Sequence, residues 1–203
     1  MTFFSLTATV LAAALLAVGC GDAPSGGTPA TSSSQPLAVS VEAVASGAKG
    51  FSVGSAMSAR TVYVFFDPQC PHCTELWEAA KPLKNQARFV WIPVGLLNPS
   101  STAQGATLLS AADPVAAMDE HEASMRKRAG GIGAGSNIDA QKQTVAANTA
   151  LLTRFGFSSI PTIVASHAQS GALVTNEGAL PTAALASLLG LQVPASALPA
   201  PAK

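Results

Sequence analysis

Cys70 and Cys73 stand two residues apart, with Pro71 and His72 between them, and this tetrad concentrates the chain's chemistry. A disulfide between such close neighbours closes almost no loop, so it adds little to stability. The pair therefore reads as a redox-active dithiol. The run before it, Val62-Tyr63-Val64-Phe65-Phe66, is β-branched and aromatic, as a buried strand should be, and Asp67-Pro68 follows as a turn. Pro71 suits the first turn of a helix, where its missing N–H loses no hydrogen bond. Leu76, Trp77, Ala80 and Leu83 form the apolar face of a helix over 74–83. Cys70 thus falls at a helix N-terminus, where unpaired N–H groups and the macrodipole favour thiolate over thiol. Each tenfold gain in thiol acidity is worth about 1.4 kcal/mol in favour of the thiolate. His72 adds a donor or a positive charge. The expectation is an exposed nucleophile at Cys70, a buried resolving thiol at Cys73, and an oxidising potential, because a stabilised thiolate makes the disulfide easier to reduce.

The elements that position this pair come from the rest of the chain. Of 203 residues 11 are basic and 11 acidic, so no global field draws in nucleic acid or an anionic membrane. One compact domain is expected over 37–191. Three cysteines are too few for a disulfide framework. Residues 1–19 read as an export signal, with an apolar run over 10–18 too short to span a bilayer. Cys20 follows Ala17-Val18-Gly19, either as a lipidation site or as a residue near an ordinary cleavage point. Residues 20–36 read as a flexible tether and 192–203 as a disordered tail rich in Pro and Ala. Between them, 37–48 suits a short helix, although Val39 and Val41 also fit a strand. Phe51 to Gly54 suits an edge strand that pairs near the central strand over 61–66. A second central strand runs over 87–94, with Pro93 near its end. Residues 98–155 are helical in character: Ser101 or a neighbour caps a helix over 103–112, Asp113-Pro114 starts another over 115–128, and 138–154 forms a third before Gly156. The glycines of 130–135 lack a preceding strand and a following Lys-Ser/Thr, so they read as a flexible loop rather than a phosphate cradle. Ala172 to Asn176 is the last strand, and a final helix starts at Pro181 and ends at Gly190.

The run over 62–73 resembles the thioredoxin superfamily, and within it the catalytic domain of periplasmic DsbC/DsbG-type proteins. The matching pieces are Phe65-Phe66-Asp67-Pro68-Gln69-Cys70-Pro71-His72-Cys73, then Trp77, then Trp91-Ile92-Pro93-Val94-Gly95. The Cys-Pro-His-Cys tetrad itself is that of DsbA, the donor oxidase of the same compartment. The resemblance implies an α/β thioredoxin-like fold with 98–155 as a helical insertion. It also implies that Ile160-Pro161 forms a cis-proline loop packed against the dithiol, with the Ile160 backbone pairing with substrate. Such domains commonly carry threonine before this proline, so Ile160 is a departure. Thioredoxins place a buried carboxylate six residues before the first cysteine, and here that position is Val64. Asp67 is read as a turn former, with a proton shuttle as the alternative.

An exported thiol:disulfide oxidoreductase is the function implied, a DsbG/DsbC-like isomerase or reductase, with a DsbA-like donor oxidase as the alternative. A copper or zinc redox chaperone using Cys70, Cys73 and a histidine is a reading from another class, and a non-enzymatic binding module a third. No cofactor or metal is expected. The implied partners are exported proteins with thiols or disulfides and a membrane-bound redox donor; contact with membrane is only through a lipid anchor, and location is the periplasm. Because that family dimerises through a separate N-terminal domain, this chain is expected to be a monomer. His121-Glu122 reads as a solvated helix face, since it lacks the second histidine of a zinc protease helix, and His167 as a loop residue.

Overall fold

The continuous apolar run Val62 to Phe66 is unalternating because the strand it forms is covered on both faces. In the computed structural model, which describes residues 36–197, this strand, β2 (Thr61–Phe66), is the centre of a five-stranded sheet. The sheet order is β1 (Phe51–Gly54), β3 (Arg88–Pro93), β2, β4 (Thr162–Ser166) and β5 (Leu173–Glu177). β2 runs parallel to β3, pairing Val64 with Trp91, and antiparallel to β4, pairing Tyr63 with Val164. The edge strand β1 pairs antiparallel with β3, one strand away from β2, because local pattern marks an edge without saying which neighbour it takes. The export signal over 1–19, Cys20, nearly all of the tether and 198–203 lie outside the described residues.

Among the described residues six α-helices flank the sheet: α1 (Val41–Gly47), α2 (Pro71–Ala80), α3 (Pro99–Ser110), α4 (Pro114–Arg126), α5 (Asp139–Arg154) and α6 (Thr182–Leu189). On one face Val62, Val64 and Phe66 pack with Leu76 and Trp77 of α2, Met118 of α4 and Leu185 of α6. On the other, Tyr63 and Phe65 meet Val44 of α1 and Leu151 and Leu152 of α5. Trp77, Trp91, Phe66 and Phe51 form edge-on aromatic pairs, with the two tryptophan rings 4.9 Å apart. Such pairs contribute about 0.5–1.5 kcal/mol each beyond their area burial.

The helices start where their caps dictate. Ser40 accepts from Ala43 N–H at 3.0 Å, so α1 takes only 41–47 of the expected 37–48. Asp113 accepts from Val115 and Ala116 N–H, with Pro114 as the first helical residue. Helix α3 begins earlier than expected: Asn98 is its cap and Ser101 completes a capping box by accepting from Asn98 N–H at 3.2 Å. Caps of this kind contribute about 1 kcal/mol each. Gly156 and Gly190, at φ 81° and 67°, end α5 and α6 in the left-handed conformation. Part of the expected disordered tail is attached: Gln192 exchanges hydrogen bonds with Gln86, Val193 packs on the core, and Ala195–Ala197 forms a 3-10 turn. No helix among the described residues is long and apolar enough to cross a membrane.

Candidate active site

β2 ends at Phe66 and delivers the chain to Asp67, whose carboxylate is fully buried. Its Oδ1 accepts from Gln69 N–H at 2.8 Å and its Oδ2 from Leu96 and Leu97 N–H at 2.7 and 2.9 Å. Asp67 therefore shapes the turn, as expected, and also clamps it to the segment leaving β3. The Asp67 carbonyl accepts from Cys70 N–H, which sets Cys70 as the N-cap of α2.

Both cysteines are free thiols. Cys70 Sγ accepts from the Cys73 amide at 3.3 Å. The Cys70 thiol is lowered to about 7, chiefly by hydrogen bonding from the Cys73 side chain, against burial, with further help from the Cys73 and His72 amides and the His72 charge. Cys73 is raised well above the usual thiol value by burial, then by its hydrogen bond to Cys70. The two thiols thus differ in acidity. In exposure they do not: Cys70 is only 4 % exposed, because the backbone of Ile160 lies over its sulfur, 3.8 Å from the carbonyl oxygen. The expectation of an exposed nucleophile is corrected to a nearly buried one.

The peptide bond between Ile160 and Pro161 is cis, and Pro161 leads into β4. The Ile160 side chain packs against the cores on both faces of the sheet. His72, by contrast, points to solvent, its Nδ1 3.0 Å from Glu75 Oε2. Hydrogen bonding to Glu75 raises its pKa, which favours the charged imidazolium. His167 lies in the loop between β4 and β5, where its Nδ1 accepts from Ser170 N–H.

His121 and Glu122 depart most from the sequence expectation. Neither is solvated: they are 0 % and 1 % exposed. Helix α4 packs on α2, which buries the face carrying Met118, His121 and Glu122. His121 donates from Nε2 to the Pro68 carbonyl at 2.7 Å and accepts at Nδ1 from Ile132 N–H at 3.2 Å, a neutral tautomer held from both sides. Glu122 is pushed up to about 7 by burial. The signal available in the sequence was spacing: 118, 121, 122 and 125 share one helix face, and Met at both ends marks it as inward. Gln69 was also passed over. It donates to Gln104 Oε1 at 2.6 Å and to the Gly130 carbonyl at 3.0 Å, while Gln104 donates to the carbonyls of Gly130 and Ile132. The glycine run is therefore a loop, as expected, but a pinned one. Gly131, at φ 85°, has no room for a side chain, since an added Cβ would lie 2.4 Å from His121 Cε1.

A metal site would need a third ligand beside the two thiols. Among the described residues no group of three or more His, Cys, Asp and Glu side chains gathers in a way that could hold an ion. Val64, the position that carries a carboxylate in thioredoxins, is buried in the core, so no charge rises from β2 beneath the dithiol.

Residues 53–192 match the family model described as a thioredoxin-like domain. Over 143 residues the chain is 34% identical to the thiol:disulfide interchange protein DsbG of Pseudomonas aeruginosa, covering 68% of this chain and 54% of that protein. Over 104 residues it is 31% identical to DsbG of Escherichia coli K12, covering 50% of this chain and 42% of that protein. The chain thus spans about half the length of the curated relatives it matches. Among solved structures it is similar to the catalytic domain of Proteus mirabilis ScsC, at 18% identity and a TM-score of 0.56, over 73% of this chain and 96% of that one. That likeness speaks to the fold.

Proposed function

The chain belongs to the thioredoxin-like domain family, and on that premise we propose that it is an exported thiol:disulfide oxidoreductase acting on proteins that carry thiols or disulfides. The observation that carries this reading is the asymmetry of the dithiol: Cys70 lowered to about 7 at the start of α2, and Cys73 raised by burial one helical turn on. A thiol whose pKa lies near neutrality is about half ionised at neutral pH yet still nucleophilic.

In the proposed mechanism the Cys70 thiolate attacks one sulfur of a substrate disulfide. The Cys70–substrate bond forms, the substrate's own S–S bond breaks, and the departing thiolate takes a proton from water. Cys73 then loses its proton and attacks Cys70 Sγ, which closes the Cys70–Cys73 disulfide and releases the second substrate thiolate. The reverse sequence oxidises a dithiol substrate. Pro71 starts the helix, His72 adds positive charge beside Cys70, and Asp67 holds the turn. The Ile160 and Pro161 backbone over the sulfur holds the substrate chain. The names of the two relatives, thiol:disulfide interchange proteins, support exchange itself, and the first reading of its direction is isomerase or reductase. The low Cys70 value and the Cys-Pro-His-Cys tetrad favour the second reading, a donor oxidase.

The proposal extends to a periplasmic location, an anchor through lipidation at Cys20, a membrane-bound redox partner and a monomeric state. An elution volume fitting a stable dimer would refute the last. The deciding experiment alkylates thiols in the intact cell envelope and reads Cys70 and Cys73 by mass shift: mostly reduced supports isomerase or reductase, mostly oxidised supports donor oxidase. Full exchange activity in Cys70→Ser would sink both.

A further inference from the structure

Glu122 is a buried carboxylate on α4, the helix that packs against the dithiol-bearing α2, and the exchange steps leave it unused. It is 1 % exposed, and its Oε2 has no hydrogen-bond partner. A carboxylate left this way is destabilising, and its persistence asks for a use. Helix α2 supplies most of its surroundings. Thr74 favours its charged form, while Glu78 repels it, as does Cys70 at the head of that helix. Arg126, one turn along α4, attracts it. Burial is the main cause that raises the Cys73 thiol, and the charge of Glu122 adds the least of the contributions. Of the other segments packed on α4, β1 and α3 bring no ionisable side chain, and Lys81, just past α2, pairs with Asp119. Thr74 also lines a cleft of about 640 Å³ whose wall includes Glu78, Met125 and Arg126.

We infer that Glu122 accepts the proton of Cys73 when the mixed disulfide is resolved, and that Thr74 and the adjoining cleft connect it to solvent. The inference rests on the exchange reading of the dithiol. The step balances: Cys73–SH and the Glu122 carboxylate become Cys73 thiolate and Glu122 carboxylic acid. The thiolate displaces the substrate sulfur from Cys70, and Glu122 then returns its proton to water through the cleft. Burial holds Cys73 as a thiol at neutral pH, so an acceptor inside the same low-dielectric pocket is what the second step lacks. Burial also lifts Glu122 to about 7, which matches it to a proton that must move both on and off near neutral pH.

The test mixes reduced full-length protein with glutathione disulfide, quenches in acid, and follows by mass the Cys70–glutathione adduct forming and then closing to the internal disulfide. In Glu122→Gln the adduct should form at the wild-type rate but close at least about tenfold more slowly at pH 7. The deficit should narrow above pH 9, where hydroxide can take the proton, and Glu122→Asp should recover part of the rate. Closure at the wild-type rate with an unchanged pH profile would overturn the inference while leaving the exchange reading intact. A wild-type protein that forms no adduct would overturn both. Should Glu122→Gln fail to fold, carboxyl carbon NMR of the wild type decides instead. Titration near 7 in the reduced protein, moving lower when the dithiol is oxidised, supports the role, and titration in the ordinary carboxylate range in both states overturns it.

Discussion

The His121 ring donates from Nε2 to the Pro68 carbonyl across 2.7 Å, tying α4 to the turn that precedes the dithiol. The bond requires the neutral imidazole, because Nδ1 accepts from Ile132 N–H. Burial lowers the His121 pKa, so the unfolded chain binds a proton that the native state does not. The stability this gives is complete above the ordinary histidine value of about 6.5 and is lost as pH falls through it. Glu122 works in the opposite sense. Its raised value stabilises the fold most below about 4.5, and that contribution fades as pH rises toward about 7. Urea midpoints from pH 8 to pH 5 should therefore fall more steeply in Glu122→Gln than in wild type, and less steeply in His121→Gln. Parallel slopes in all three proteins would contradict the burial of both groups.

Why the dithiol was legible and this pair was not is a matter of range. Cys70 and Cys73 announce themselves through local terms: a strand, a turn, a proline at the first helical position, and two thiols one turn apart. The same is true of the Asp113 cap. His121 and Glu122 are polar residues on a helix whose buried face is decided by where α2 lies, and no short window of sequence carries that. For edge strand β1 the limit was the same: its existence was readable in Phe51 to Gly54, the identity of its neighbour was not. Ile160 and Pro161 were placed by resemblance, because proline at the head of a β-rich segment says only that one N–H is missing.

Cys70 should alkylate with iodoacetamide along a pH profile whose midpoint is about 7, while Cys73 stays unmodified in the folded protein. Replacing His72 by alanine should move that midpoint up only modestly, since the His72 charge is a lesser cause than hydrogen bonding from Cys73. Mass spectrometry of the alkylated peptide measures both. Equal labelling of the two cysteines at pH 7 would remove the basis for assigning them separate roles.

Trp77 is the aromatic anchor of α2: it is 2 % exposed, edge-on to Trp91, with its Nε1 donating to Asp119 Oδ1 at 2.9 Å. Truncation to alanine should destabilise the fold by about 3–5 kcal/mol. Trp77→Phe should lose less, since it keeps much of the ring packing and forfeits a hydrogen bond whose acceptor also pairs with Lys81. Urea unfolding separates the two. Equal losses would mean that the bond to Asp119, rather than the ring, carries the position.

Gly131 tests whether the loop after α4 is part of the site's scaffold. An alanine there meets His121 Cε1 at 2.4 Å and Nδ1 at 2.7 Å in a left-handed backbone, so either the ring or the loop must move. The expected outcome is a loss of about 1–3 kcal/mol, with protease cleavage appearing within 128–135. Gly133→Ala, where an added Cβ meets nothing within 4 Å, is the control and should behave as wild type.

Asp67 separates a structural carboxylate from a chemical one. It accepts three backbone N–H groups, and these occupy both of its oxygens. Asparagine in the same place must turn an NH₂ toward at least one of those amides, so Asp67→Asn should lose about 1–3 kcal/mol of stability. If Asp67 only holds the turn, the closure rate of the Cys70 mixed disulfide should keep its wild-type pH profile once the protein is assayed well below its unfolding midpoint. A proton shuttle at Asp67 predicts the reverse: the rate would fall at neutral pH and its inflection would vanish, as expected for Glu122→Gln. Run side by side, the two variants assign the proton to one carboxylate, because Asp67 is already saturated with donors while Glu122 keeps an oxygen unpartnered.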